Sequence, residues 1–215
     1  MSRQLTFPIV YAITSGTTTI RTTPESPEFS DILRLIEAAV ASGVQLVQIR
    51  EKSLTARVLY ELTTRVVAIA KGSSTRVLVN DRFDIARAAG ADGVHLTSRS
   101  LPAGEIRRIS NDNFLIGVST HSLQTSLDAR ADGADFVVFG PVFETPSKQI
   151  FGEPQGLAKL REVTNASPGF PVLAIGGINL DNAADCFRAG ASGIAAIRLF
   201  QDTNFQWLSK LNQLY

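Results

Sequence analysis

Two kinds of segment alternate along the chain: short apolar runs rich in β-branched residues, and longer stretches with helical spacing. The apolar runs are PIVYAIT, LVQIRE, RVLVND, GVHLTS, LIGVST, FVVFGPV, PVLAIGG and GIAAIRL. The helical stretches include FSDILRLIEAAVASG, TARVLYELTTRVVAIAK, SLQTSLDARADG, LAKLREVTNA and FQWLSKLNQLY. Continuous Val, Ile and Leu runs are typical of strands buried on both faces of a parallel sheet, so the pattern predicts alternating strands and helices.

The boundaries between these segments follow one pattern, in which a helix ends at Gly and an apolar run begins after a short polar step. The pattern occurs in ASGVQLVQIR (41–50), AAGADGVHLT (88–97), ADGADFVVFG (131–140) and RAGASGIAAI (188–197). Eight apolar runs alternating with helical stretches in one short chain predict a (β/α)₈ TIM barrel, with residues 1–215 as a single domain. A doubly wound open sheet is the alternative, but closure removes the exposed sheet edges.

Composition points to a small-molecule partner. The 215 residues include 21 Lys plus Arg and 20 Asp plus Glu, and the net charge of +1 gives no footprint for nucleic acid or an anionic membrane. The single cysteine, Cys186, lies in a helical pattern and is expected to be a core residue rather than a nucleophile. No segment is long and apolar enough to span a membrane, and we expect a cytoplasmic protein. A homo-oligomer is compatible with the sequence.

Polar residues follow several of the predicted strands, at the end where barrel enzymes keep their chemistry. They are Gln48, Arg50, Lys52, Asn80, Asp81, Ser119 and His121. Gln48 and Arg50 alternate and so share a face, where a cation and an amide could bind a diphosphate or a carboxylate. Alternatively, Arg50 and Lys52 pair with Glu51 at an exposed strand end.

The last two strands suggest a phosphate site. Gly176 and Gly177 follow the seventh strand and permit close backbone approach, and barrels often bind phosphate at this position. Arg198, after the eighth strand, could add a bidentate contact or point outward to Asp202. Long irregular stretches at 14–28 and 142–155 follow other strands, and the second contains ETPSK, which could close over phosphate or form a solvated turn.

The two histidines differ in their predicted roles. His121 follows the fifth strand, and histidine is the side-chain type best suited to proton transfer near neutral pH, although His121 could instead order the start of the next helix with Ser122. His95 lies within the fourth strand, where a satisfied core histidine is expected.

Five motifs together resemble the thiamine phosphate synthase/TenI family. They are QIREKSLTAR, VNDRFDIARAAGADGVHL, GVSTHS, GADFVVFGPVFETPSK and PVLAIGGI, and the resemblance extends from about residue 9 to about residue 200. The synthase branch would place a pyrimidine diphosphate against Gln48, Arg50, Lys52, Asn80, Ser119 and Lys148, with Mg²⁺ on Asp81. The thiazole phosphate would contact Thr145, Ser147, Gly177, Ile197 and Arg198.

One loop departs from the synthase pattern. The family motif reads approximately HLGQxDLP, and its Asp is the second metal ligand, whereas this chain has HLTSRSLP with Ser100 at that position. A serine hydroxyl replaces a carboxylate poorly in a Mg²⁺ site, although the neighbouring Arg99 could supply positive charge instead. We therefore expect no metal and no cofactor, with Mg²⁺ on Asp81 only in the synthase alternative.

TenI-like relatives are similar to this chain in that loop. The resemblance implies thiazole tautomerase activity, in which a base isomerises a carboxythiazole phosphate to its aromatic form without a metal, and His121 matches the proposed base. Arg50 and Lys52 would then hold the carboxylate. The sequence favours this isomerase, with the synthase and a non-catalytic phosphate-binding regulatory barrel as alternatives.

Overall fold

Eight parallel strands form a closed barrel in the computed structural model, which describes residues 5–144, 153–200 and 205–215. The strands are β1 (Ile9–Ile13), β2 (Leu46–Ile49), β3 (Arg76–Asn80), β4 (Gly93–Leu96), β5 (Leu115–Thr120), β6 (Phe136–Phe139), β7 (Val172–Ile175) and β8 (Gly193–Ala196). Each strand pairs with the next, and β8 pairs with β1. The predicted TIM barrel is confirmed, and the open doubly wound sheet is excluded.

A helix follows each strand on the outside of the barrel. The helices are α1 (Pro27–Ala41), α2 (Ala56–Ala70), α3 (Phe83–Ala89), α4 (Ala103–Ile109), α5 (Leu123–Ala131), α6 (Gly156–Ala166), α7 (Ala183–Arg188) and α8 (Leu208–Leu214). Short 3₁₀ turns at Arg198–Phe200 and Phe205–Trp207 lie between β8 and α8. The glycine boundary pattern is confirmed by Gly90, which ends α3 in the left-handed conformation with φ 73°.

Alternate strand residues point into the barrel, where they form a core of their own. This inner cluster consists of Ile9, Tyr11, Ile13, Leu46, Leu78, Leu115, Phe136, Val138, Leu173 and Ala195. The intervening residues, such as Val47 and Val79, pack outward against the helices. Both faces of the sheet are therefore apolar, which explains why the strands are continuous apolar runs in the sequence.

Several strands end earlier than the apolar runs predict. β2 ends at Ile49, so Arg50 and Glu51 belong to the following loop, and β4 ends at Leu96. The segment after β4 turns back on itself, because the Ser100 N–H donates to the Thr97 carbonyl at 3.0 Å. The residues that follow these strands therefore lie in loops at the barrel mouth, and their side chains do not follow the alternation of a strand.

The pairing of β1 with β8, which closes the barrel, requires a glycine at position 193. Gly193 pairs with Ile9, and a Cβ at position 193 would lie 2.1 Å from the Ile9 carbonyl oxygen. We expect Gly193→Ala to lower the free energy of unfolding by about 3 kcal/mol, because the two strands must separate to admit the methyl group.

Gly104→Ala is the matched control, since a Cβ there would meet nothing closer than 3.6 Å. It should leave the free energy of unfolding unchanged or raise it by up to about 1 kcal/mol. Urea denaturation of both variants measures the difference. Equal stability of the two variants would show that closure does not depend on Gly193.

Candidate active site

Barrel closure brings the predicted site residues to one rim, because parallel strands all end on the same side. The rim carries Arg50 and Lys52 after β2, Asn80 and Asp81 at the end of β3, Arg99 after β4, Ser119 and His121 at the end of β5, Gly176 and Gly177 after β7, and Ile197 and Arg198 after β8. Thr145, Ser147 and Lys148, which the sequence also placed at the site, lie outside the described residues.

A cavity of about 250 Å³ opens beside the ends of β2, β3 and β4. Its polar lining includes Lys52, Asn80, Asp81, Thr97 and Arg99. Arg82 also borders the cavity, but Asp84 accepts hydrogen bonds from its Nε and Nη2 at 2.8 and 2.6 Å. The cations available to a ligand in the described lining are therefore Lys52 and Arg99.

Positive charge dominates this part of the rim. Burial lowers the pKa of Lys52 below its ordinary value, and the guanidinium groups of Arg50 and Arg99 lower it further. The Asp81 carboxylate acts in the opposite direction without cancelling them. Lys52 and the two arginines repel one another, so an anion bound among them would be stabilised.

Asp81 has an unusual backbone conformation. Its φ is 64°, in the left-handed region that few residues other than glycine adopt. The Asp81 N–H donates to the His95 carbonyl at 2.9 Å, and its own carbonyl accepts from the Phe83 N–H at 3.1 Å. Asparagine and aspartate tolerate this conformation best, and here it presents the side chain to the cavity.

Glu51 ties the loop after β1 to the end of β2. The buried carboxylate accepts hydrogen bonds from the Gly16 N–H at 3.0 Å, the Thr18 N–H at 3.3 Å and the Thr18 hydroxyl at 2.7 Å. This loop lies against Arg50, since a Cβ at Gly16 would be 3.3 Å from its Nη1. The alternative in which Glu51 pairs with Arg50 and Lys52 is not what the described contacts show.

The oxygen ligands at the cavity do not fit a magnesium site with two carboxylates. Ser100 stands where the second carboxylate would be, and its hydroxyl accepts from the Thr97 N–H at 2.8 Å. Glu51 is engaged by the loop, which leaves Asp81 beside two cations. In the described ranges, no group of three or more His, Cys, Asp or Glu side chains is arranged to hold a metal ion. The donor set therefore suits an anion better than a cation.

Below the rim, polar side chains enter the barrel itself. Gln48 lies on the inward face of β2, but it is buried and its Nε2 has no partner in the described structure. Arg50 follows the end of the strand, so the predicted alternation of the two residues does not apply to it. His95 is buried too, and its Nε2 lies 2.8 Å from Ser119 Oγ. Burial lowers the pKa of His95 to about 3, with a smaller contribution from Arg50. The expected core histidine is confirmed in its burial, but its Nδ1 is unpaired.

His121 is exposed at the end of β5, next to β6. Its Nδ1–H donates to the Gly140 carbonyl, which leaves Nε2 as the nitrogen with a lone pair. The capping function that the sequence left open belongs to Ser122, whose hydroxyl accepts from the Thr125 N–H at 3.2 Å. The imidazole is thus oriented by a neighbouring strand end.

The predicted phosphate residues lie on adjoining strand ends. Gly176 and Gly177 have φ values of 97° and 66°, and a Cβ on Gly177 would lie 2.4 Å from the Glu144 carbonyl oxygen. These glycines are therefore required for packing against the segment after β6, whether or not a phosphate binds. Ile197 is half-buried and Arg198 is exposed. Asp202, the alternative partner of Arg198, lies outside the described residues.

Cys186 is a core residue, as expected. It is fully buried in α7 and packs with the apolar residues between the barrel and its helices. Burial, helped by Asp185, raises the pKa of its thiol to about 12, so it is not a nucleophile.

Comparisons with known proteins give relatives that cover most of the barrel. The family model described as thiamine monophosphate synthase matches residues 19–200. The thiamine-phosphate synthase of Methanoculleus marisnigri is 44% identical over 168 residues, which is 78% of this chain and 78% of that protein. That of Anaeromyxobacter dehalogenans is 45% identical over 168 residues, or 78% and 75%.

A solved structure agrees with these sequence relatives. Thiamine phosphate pyrophosphorylase from Pyrococcus furiosus superposes with a TM-score of 0.76 at 31% identity and covers 95% of both chains. These names are those of the transferase, so the comparisons favour the synthase alternative over the tautomerase that the sequence favoured. Among the helices that the structure describes, none has the length and apolar character to cross a membrane.

The hydrogen bonds of Glu51 can be tested directly. We expect Glu51→Ala to speed amide hydrogen exchange at Gly16 and Thr18 by about tenfold or more, because each loses a charged acceptor. Glu61→Ala is the control, since Glu61 is half-buried on α2, away from this loop, and pairs with the nearby Arg65. Unchanged exchange at Gly16 and Thr18 would show that other contacts hold the loop.

Proposed function

The chain belongs to the thiamine monophosphate synthase family, and from this premise we propose that it is a transferase of thiamine biosynthesis that joins a hydroxymethylpyrimidine diphosphate to a thiazole phosphate. The observation that carries the proposal is that Lys52 and Arg99 line the cavity at the ends of β2, β3 and β4, with Arg50 near enough to Lys52 to lower the pKa of its ammonium group. A diphosphate is the group in this reaction whose charge matches such a cluster.

The proposed reaction moves no net protons or redox electrons. The bond between the pyrimidine's methylene carbon and the diphosphate oxygen breaks, and its electron pair leaves with the diphosphate. The pyrimidine ring stabilises the carbocation that remains. The lone pair of the thiazole nitrogen then forms the new C–N bond, and the products are thiamine phosphate and free diphosphate.

The protein's contribution is to stabilise the negative charge that develops on the leaving group. Arg50 and Arg99 can each donate two parallel hydrogen bonds to phosphate oxygens, while Lys52 supplies a point charge. Asn80 borders the same cavity and can donate from its amide. Because these groups are held before the substrate arrives, little reorganisation is needed when charge develops.

Arg99 is the residue that makes this assignment compatible with the missing carboxylate. It follows β4 immediately before Ser100, and it is close enough to Lys52 to lower the pKa of that ammonium group. We propose that Arg99 neutralises diphosphate charge directly where other members use a metal held by two carboxylates. The fit of the donor set supports this, since Asp81 is flanked by cations rather than by a second carboxylate.

The thiazole phosphate would bind on the opposite part of the rim. Gly176, Gly177, Ile197 and Arg198 lie on the adjoining ends of β7 and β8, where barrels often bind phosphate. Thr145 and Ser147 are proposed contacts of this phosphate, and Lys148 is a proposed contact of the diphosphate, on the basis of the family resemblance. The two substrates would then approach each other across the barrel mouth.

The thiazole tautomerase is retained as a second candidate because of one observation. The hydrogen bond from His121 Nδ1 to the Gly140 carbonyl fixes the ring and leaves Nε2 to accept a proton, which is what a general base requires. In that function Arg50 and Lys52 would hold the substrate carboxylate, and no diphosphate would be released.

The role proposed for Arg99 can be tested by comparing it with an arginine outside the site. Arg99→Ala should lower kcat/KM for thiamine phosphate formation by about 10², the effect of losing one donor to developing negative charge. Arg108→Ala is the control, because this arginine is exposed on α4 and pairs with Glu105. Wild-type activity should persist in EDTA, whereas Arg99→Glu with Ser100→Asp should make the remaining activity depend on added Mg²⁺.

Two results would count against this account. Wild-type activity that disappears in EDTA would remove the role given to Arg99. An absence of thiamine phosphate formation under all these conditions would overturn the synthase proposal itself.

The second prediction tests the alternative. If the protein isomerises a carboxythiazole phosphate, His121→Asn should lower the turnover number by about 10², while Gln124→Ala on the exposed face of α5 should not. The rise in ultraviolet absorbance of the aromatic thiazole measures the rate. Wild-type protein that shows no such rise would dismiss the tautomerase.

A further inference from the structure

The inside of the barrel contains polar atoms that the apolar core does not require. Tyr11 Oη, Gln48 Nε2 and His95 Nδ1 are buried without a hydrogen-bond partner among the described residues. Each belongs to a side chain on the inward face of its strand. Buried polar atoms of this kind are rare, and their concentration directly below the rim suggests that they serve the site above them.

His95 is the member of this group that reaches a rim residue. Asn80 pairs with His95, and His95 pairs with Gly117, so these three lie at one level of the barrel. Ser119 is two residues further along β5, which places it above the imidazole toward the rim. The 2.8 Å contact between His95 Nε2 and Ser119 Oγ therefore links the core to the site.

The imidazole is held in place by its surroundings. The rings of Tyr11 and Phe136 lie with their centroids 5.7 and 6.3 Å from that of His95. Gly117 is directly beside the ring, since a Cβ there would be 2.9 Å from Nδ1. The same Cβ would lie 2.4 Å from the Phe136 ring, so a larger residue at 117 would collide with both rings, and packing determines the orientation of the histidine.

The unpaired Nδ1 identifies the tautomer. A neutral imidazole has one N–H and one lone pair, and only Nε2 has a partner. A buried N–H without an acceptor is rarer and more costly than a lone pair without a donor. The proton therefore belongs on Nε2, where it is donated to Ser119 Oγ. The hydroxyl hydrogen of Ser119 is then free for another acceptor.

We propose that His95 is a positioning residue that holds Ser119 as a hydrogen-bond donor to an anionic oxygen of the substrate. This rests on the proposed function, in which a diphosphate binds at the neighbouring strand ends. Ser119 is half-buried at the end of β5, and β5 pairs with β4, which ends at the cavity. His95 acts only through Ser119, because the buried ring itself is not accessible to a ligand.

Binding of inorganic diphosphate, measured by titration calorimetry, tests the link between the two residues. Ser119→Ala should weaken binding about tenfold, the effect of losing one hydrogen bond to a charged group. His95→Leu should weaken it similarly, and the double variant should be no worse than either single variant. His95→Gln, whose amide can donate from a similar position, should restore most of the affinity.

Ser110→Ala is the control, since this hydroxyl lies at the end of α4 and contacts the Arg107 carbonyl. Wild-type affinity in Ser119→Ala, or additive losses in the double variant, would overturn the proposal. Ser119→Ala removes a single oxygen, so it keeps the test available even where His95→Leu fails to fold.

The tautomer provides a measurement that does not depend on activity. The chain has two histidines, so ¹⁵N spectra of histidine-labelled wild type and His95→Gln protein assign the ring signals without ambiguity. The Nε2–H form supports the proposal, and the Nδ1–H form would overturn it whatever the ligand is. Wild-type protein that does not bind diphosphate would instead contradict the proposed function.

Discussion

Pairing of β8 with β1 is the constraint on which the other features of the molecule depend. It joins strands that are more than 180 residues apart in the sequence, and it forces all eight strand ends onto one rim. Without it, β1 and β8 would be the opposite edges of an open sheet, and Arg50 and Arg198 would lie far apart. The close contact at Gly193 shows how little room the seam leaves, since a single methyl group would collide with the neighbouring backbone.

The charge distribution at the rim is unfavourable in the isolated protein. Arg50, Lys52 and Arg99 repel one another, and after burial this repulsion is the next cause of the lowered pKa of Lys52. Proteins tolerate such arrangements where a ligand relieves them. The location of the cluster, on loops rather than on the strands, confines this repulsion to a few side chains, while the apolar core below supplies the stability.

Local patterns in the sequence were sufficient to predict the fold and to predict which residues follow the strands at the rim. Continuous apolar runs predicted the strands, and glycine at helix ends predicted boundaries such as Gly90. The hydrogen bonds of Glu51 could not be predicted, because their partners are 33 to 35 residues away and no periodicity connects them. The unpaired Nδ1 of His95 could not be predicted either. A strand pattern indicates that a histidine is buried, but it does not show which ring nitrogen has a hydrogen-bond partner. The sequence favoured the isomerase because the loop after β4 lacks a carboxylate at Ser100. That Arg99 in the same loop lies near Lys52 could not be predicted from the sequence.

The attachment of the β1–α1 loop to Glu51 limits how far the barrel can be treated as a set of exchangeable units. Loops at the mouths of such barrels are often regarded as independent modules that can be transplanted between scaffolds. Here the loop carries its donors at Gly16 and Thr18, while the acceptor comes from the next strand–helix unit. A graft of residues 14–26 onto another barrel would arrive without its acceptor, so the smallest transferable piece extends through Glu51, just beyond the end of β2.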